Sequence, residues 1–112
     1  MAHYAFLDEN NIVTEVITGV DENQLIEGLT PEIWYGNFKG QECKRTSYNS
    51  NIRGTYAGEG YSYIEEEDIF VVPQPYPSWT RVGSFWVAPI EMPSDGSLYR
   101  WDEENQEWVG VL

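Results

Sequence analysis

Trp79-Thr80-Arg81-Val82-Gly83-Ser84-Phe85-Trp86-Val87-Ala88 decides the fold class. Two β-branched and aromatic runs flank Gly83-Ser84, and glycine at the first turn position suits the mirror-image two-residue turn whose twist matches that of the strands it joins. The stretch predicts a tight hairpin. Three more follow the same logic with longer turns: Tyr4-Ala5-Phe6-Leu7 with Ile12-Val13-Thr14-Glu15-Val16-Ile17, Tyr61-Ser62-Tyr63-Ile64 with Ile69-Phe70-Val71-Val72, and Ser97-Leu98-Tyr99-Arg100-Trp101 with Glu107-Trp108-Val109-Gly110-Val111. Their connections, Asp8-Glu9-Asn10-Asn11, Glu65-Glu66-Glu67-Asp68 and Asp102-Glu103-Glu104-Asn105-Gln106, are acidic clusters of the kind that reverse a chain. Unequal spacing marks these as convergent turn chemistry and not a repeat array.

Helical signals are confined to residues 21–38. Asp21 can cap Glu22–Glu27 before Gly28, and Thr30-Pro31-Glu32 supplies a cap, a first-turn proline and an early acid ahead of Ile33-Trp34-Tyr35. Asn49–Gly60, rich in Gly, Asn and Ser, predicts a surface loop. Prolines at alternate positions in Pro73-Gln74-Pro75-Tyr76-Pro77-Ser78-Trp79 predict a stiff extended connector over 73–79. The fold class expected is mainly β: antiparallel hairpins forming a small sandwich or partly open barrel, with one or two short helices near residues 21–38, in a single compact β-rich domain spanning 1–112.

Composition bounds the function. The 112 residues hold 41% hydrophobic and 15% aromatic residues, too many large side chains for a disordered segment. Six Lys and Arg against 19 Asp and Glu give a net charge of -13, which argues against a nucleic-acid backbone or an anionic membrane as partner. Apolar runs stay far below the roughly 20 residues of a membrane-spanning helix. Met1–Leu7 lacks a basic start before an apolar stretch, so the expectation is synthesis in the cytoplasm without a secretory signal.

Candidate sites are few. The acidic turns offer oxygen ligands, but the Asp-x-Asp/Asn-x-Asp/Asn-Gly register of a helix-flanked calcium loop is absent, and solvated turns that guard strand edges explain them. One cysteine (Cys43) and one histidine (His3) are too few for a zinc site. Cys43 beside Lys44 and Arg45 has the charge environment of a reactive thiolate but no histidine or second cysteine to complete a nucleophilic site, which favours a small buried side chain in a strand. No glycine-rich phosphate loop, nucleophile elbow or His-x-x-x-His pair occurs, so neither an enzyme nor a metal or cofactor is expected.

Two contact surfaces are predicted. Lys39, Lys44, Arg45 and Arg53 concentrate positive charge in the middle of the chain, where they can dock on the acidic turns of a neighbouring copy or pair within the molecule. Tyr76 and Trp79, carried by the proline segment, are expected as exposed contact residues, because stiffness lowers the entropy lost on binding. Tyr63, Trp86, Tyr99, Trp101 and Trp108 read instead as core and cross-strand ladder.

Several blocks also carry a family likeness. Met1-Ala2-His3-Tyr4-Ala5-Phe6-Leu7-Asp8-Glu9-Asn10-Asn11-Ile12-Val13-Thr14-Glu15-Val16, Lys44-Arg45-Thr46-Ser47-Tyr48-Asn49, Tyr56-Ala57-Gly58-Glu59-Gly60-Tyr61, Pro73-Gln74-Pro75-Tyr76-Pro77-Ser78-Trp79 and Tyr99-Arg100-Trp101-Asp102-Glu103 resemble small, mostly uncharacterised proteins of tailed phages infecting marine cyanobacteria and other marine bacteria. The resemblance implies a particle component and supplies no catalytic residue. The function expected is that of a virion structural or accessory protein, a head (capsid) decoration or tail accessory subunit. Such a protein is made in the host cytoplasm, resides in the virion and contacts other virion proteins or further copies of itself. A receptor- or glycan-binding module at a tail fibre, and a host-takeover protein binding a basic host protein, are the alternatives.

Overall fold

The structure is a computed structural model and describes residues 1–111. It is mainly β with antiparallel ladders and one α-helix, and among the described residues no barrel closes. The chain groups into two compact units, Met1–Pro73 and Gln74–Leu112, with the boundary inside the proline segment.

The first unit is built on a three-stranded sheet of order β2-β1-β3, with β1 at Ala2–Leu7, β2 at Val13–Gly19 and β3 at Glu42–Thr46. Strand β1 is central and buried on both faces, which is why it reads as a near-continuous apolar run without alternation. One face places Tyr4 and Phe6 with Ala2 and Cys43, against Ile17 and the helical Tyr35. The other places Ala5 and Leu7 with Val13, Ala57, Tyr63 and Phe70. Two small cores therefore share one strand. The helix α1 (Pro31–Lys39) covers the first, and the hairpin of β4 (Ser62–Ile64) and β5 (Ile69–Val71) covers the second.

Local chemistry explains each reversal. In the β1–β2 turn, Asp8 Oδ1 accepts the amides of Asn10 (2.8 Å) and Ile12 (3.0 Å), and Asn11 takes a left-handed conformation (φ 61°). The β4–β5 turn ends on a left-handed Asp68 (φ 53°). In the second unit the hairpin of β8 (Leu98–Asp102) and β9 (Glu107–Val111) ends its turn on a left-handed Gln106 (φ 50°). All three acidic turns thus close on one residue in the left-handed region. Gly83, at φ 60°, makes the two-residue turn between β6 (Thr80–Val82) and β7 (Phe85–Val87), and Arg81 Nη1 donates to its carbonyl at 2.8 Å.

Only one of the two helical signals forms a helix. Helix α1 starts at Thr30 with Pro31 in its first turn and stops at left-handed Gly40, whose amide bonds Gly36 O at 2.8 Å. Residues 21–27 do not: Glu27 and Gly28 both have positive φ (51° and 82°), so Ile26 and Leu29 bond each other across a mirror-image turn. The expected loop at 49–60 is also more than surface. Ala57 is buried and donates its amide to Thr46 Oγ1 (2.9 Å), Gly54 bridges Phe70, and Gly60 bonds Val13 O. Its small polar residues turn the chain back onto the sheet instead of into solvent.

The end of β2 shows how tightly the first core is fitted. Tyr4 donates its hydroxyl to Val20 O at 2.8 Å, and the Val20 amide donates to the Tyr35 hydroxyl at 3.1 Å, so two tyrosines hold the backbone of one residue from both sides. A Cβ on the neighbouring Gly19 would lie 2.7 Å from that Tyr35 oxygen, so glycine is required for this approach.

Candidate functional site

The four cations of the chain's middle segment all have partners in the same molecule. Lys39 Nζ lies 2.7 Å from Glu15 and over the Phe6 ring, Lys44 lies 3.6 Å from Glu42 and over the Tyr63 ring, and Arg45 lies 3.8 Å from Glu22. Arg53 is the most engaged. Its Nη1 donates to Glu32 Oε2 at 2.7 Å and to Arg45 O at 2.9 Å, and its Nε donates to Asp68 Oδ1 at 2.9 Å. Asp68 Oδ1 also accepts the Tyr63 hydroxyl, and Glu32 Oε2 also accepts the Arg45 amide at 2.6 Å.

These groups border a cleft of about 590 Å³, lined by Tyr4, Glu22, Thr30, Pro31, Glu32, Arg45, Ile52, Arg53 and Asp68. Its carboxylates already hold a guanidinium supplied by the chain itself. The arrangement is a clasp: Arg53 joins helix α1, through Glu32, to the β4–β5 turn, through Asp68. Glu32 and Arg53 further satisfy the outward amide and carbonyl of Arg45, occupying the free edge of β3 as a neighbouring strand would. The Tyr63 hydrogen bond, reinforced by Arg53, holds the Asp68 carboxyl below its ordinary range, and burial together with the same bond pushes the Tyr63 phenol up. Burial likewise raises Tyr4 to about 12.

Cys43 faces the core beside Phe6 and Tyr4, 5% exposed. Burial, with the nearby Glu32 charge, pushes its thiol up to about 12, outweighing Arg53 and Lys44. The adjacent cations therefore produce no thiolate at neutral pH, and the buried strand residue is the form observed.

Tyr76 and Trp79 are half-buried members of an aromatic cluster in the second unit. Their ring centroids lie 5.5 Å apart, and Trp79 meets Trp101 at 5.9 Å and Trp108 at 6.0 Å, the last two being an opposed pair of the β8–β9 ladder. Glu103 holds the cluster from its turn, accepting the Ser78 amide (3.1 Å), the Ser78 hydroxyl (2.6 Å) and Trp101 Nε1 (2.8 Å). Trp108 Nε1 reaches Ile90 O at 2.7 Å, whereas the buried Trp79 Nε1 has no acceptor among the described residues. The stiff segment thus turns its aromatic groups into packing.

The exposed apolar side chains of this unit lie elsewhere, at Ile90, Met92, Leu98 and Val111 and on the β6–β7 ladder. In the β6–β7 ladder Thr80 opposes Val87 and Val82 opposes Phe85, so all four share one face. All four are exposed, Val82 at 61%, Phe85 at 56% and Val87 at 46%, while Arg81 and Trp86 occupy the opposite, half-buried face. This uncharged face was not singled out from sequence. The signal was present: both alternating sets of Phe85-Trp86-Val87 are apolar, and a two-stranded ribbon has only one face to bury.

No protein-family model, no curated protein and no solved structure matches the chain.

Proposed function

We propose that this chain acts by protein–protein contact as an accessory structural subunit of a phage particle, a head decoration or a tail accessory protein. The sequence resemblance supplies the phage setting, and the observation that carries the contact is the exposed face of Thr80, Val82, Phe85 and Val87, an uncharged patch on a protein whose net charge is -13. Exposed apolar groups gathered on one face of a small hairpin lose water when another protein covers them. The polar groups elsewhere support the same reading. Glu32, Arg53, Asp68 and Tyr63 bond one another, Cys43 is buried, and of the aromatic rings that a sugar reader would present, Tyr76 packs on Trp79 and Trp79 on Trp101.

Mass spectrometry of gradient-purified particles of the encoding phage tests the proposal. The chain is expected in the particle fraction at multiple copies; recovery only from the soluble lysate would overturn it.

A further inference from the structure

We propose that the outer edge of β2, from Glu15 to Gly19, takes up an extended segment of another protein, bearing lysine or arginine, as an added strand. The sheet order β2-β1-β3 leaves two edges, and the chain treats them differently. On β3, Glu32 and Arg53 take the outward amide and carbonyl of Arg45. On β2, Val13 is covered in the same way, its amide bonding Tyr61 O and its carbonyl accepting the Gly60 amide, and there the cover stops.

The register shows which groups stay open. Arg45 stands opposite Tyr4 but turns its amide outward to Glu32, so Tyr4 makes its ladder bonds with Ile17 on the other side. Alternation then points the amides and carbonyls of Val16 and Thr18 away from the sheet, and among the described residues nothing bonds them. Such a row of donors and acceptors is matched in full by another extended backbone. Val16–Gly19 holds no lysine, proline or bulge to guard it; the extra residue of β2 comes earlier, at Thr14.

Helix α1 adds an apolar flank. Its Gly36 lies against Cys43 on β3, whereas Tyr35 reaches Gly19 and Lys39 reaches Glu15 on β2. In that rotational sense Phe38 lies about 60° beyond Tyr35, on the side where an added strand would run. Its ring is 79% exposed and stacks on Trp34 at 5.4 Å.

Charge names the occupant. Residues 1–30 carry acids and no lysine or arginine, and Glu15, Asp21 and Glu22 stand at or near the two ends of the open stretch. Lys39 and Arg45 each pair with one of them but leave Glu15 and Glu22 exposed. A basic segment is drawn to this edge, whereas a second copy would bring the same acids to it.

The test is amide exchange and a binding titration on the full chain, with a ten-residue peptide carrying two lysines at each end of alternating valines and threonines. In the free chain the Val16 and Thr18 amides should exchange fast and that of Ile17 slowly. The peptide should bind with a dissociation constant below about 1 mM and protect Val16 and Thr18. Thr18→Pro removes one outward amide from an exposed position and should weaken binding about tenfold with an unchanged circular-dichroism spectrum. Phe38→Ser should weaken it too, and a glutamate-flanked peptide should not bind. Phe85→Asp should bind like wild type, so this edge and the β6–β7 contact stand or fall separately. Slow exchange at Val16 and Thr18 in the free chain, no binding at millimolar peptide, or equal binding by Thr18→Pro overturns the proposal. Equal binding of the glutamate-flanked peptide, or self-association abolished by Thr18→Pro, overturns the basic occupant.

Discussion

Replacing Arg53 with methionine should loosen the first unit by about 2–3 kcal/mol. The substitution keeps much of the aliphatic stem and removes three hydrogen bonds: to Glu32 (2.7 Å), to the Arg45 carbonyl (2.9 Å) and to Asp68 (2.9 Å). The Glu32 bond is charged on both sides and partly sheltered, worth about 1.5 kcal/mol, and the carbonyl bond adds about 1 kcal/mol. The Asp68 side chain is 58% exposed, so that pair contributes below about 1 kcal/mol. For a unit of this size the total corresponds to about 10–20 °C in melting temperature. Calorimetry gives the loss, and amide exchange localises it, because the Arg45 amide bonds Glu32 and the Phe70 amide bonds Arg53 O. A double-mutant cycle with Glu32→Gln should return about 1 kcal/mol of coupling. Acid titration adds a signed test. The Asp68 carboxyl titrates below its ordinary value in the folded chain, so its contribution is present above about pH 4 and is lost as pH falls further. The Tyr63 bond is the largest single cause and Arg53 adds both a bond and a charge, so Tyr63→Phe and Arg53→Met should each flatten this acid limb. An Arg53→Met chain within about 0.5 kcal/mol of wild type, with unchanged exchange at both amides, would refute the clasp.

Six further substitutions separate packing, hydrogen bonding and backbone strain. Trp79→Phe deletes an indole N–H that has no acceptor and should leave stability unchanged or higher, whereas Trp101→Phe and Trp108→Phe, which lose bonds to Glu103 and Ile90 O, should each cost about 1–3 kcal/mol in chemical denaturation. Gln106→Gly should raise the melting temperature by relieving a left-handed residue, while Asp68→Gly should lower it despite the same backbone relief, because Asp68 is bonded to Arg53 and Tyr63. Gly19→Ala forces Tyr35 away from Val20 and should cost about 1–3 kcal/mol, read as lost protection of the Val20 amide.

The four hairpins were legible because their turns are local: Gly83-Ser84, Asp8–Asn11 and the two other acidic turns need only their own backbone and side chains to reverse the chain. Helix α1 was legible for the same reason, from Thr30-Pro31 at one end and Gly40 at the other. The Arg53 clasp was not, since its partners stand 21 and 15 residues away and an arginine among acids gives no sign of which it will meet. The failed helix at 21–27 turned on Glu27 taking positive φ beside Gly28, where pairing of Ile26 with Leu29 outweighs a cap at Asp21. The stiffness of the proline segment is legible in its own residues, but the direction in which it points the Tyr76 and Trp79 rings depends on Trp101 and Trp108, some 25 residues on. The β6–β7 face is not legible locally, because apolar residues on a strand read as core until the partner strand fixes which set faces inward.

The most direct measurement is the copy number of the chain in gradient-purified particles, for wild type and for Phe85→Asp, with Leu25→Asp as an exposed apolar control in the segment before helix α1. Several wild-type copies per particle, retained with Leu25→Asp and depleted at least severalfold with Phe85→Asp, is the predicted result. Absence of the wild-type chain from particles, or equal incorporation of all three, would contradict the account.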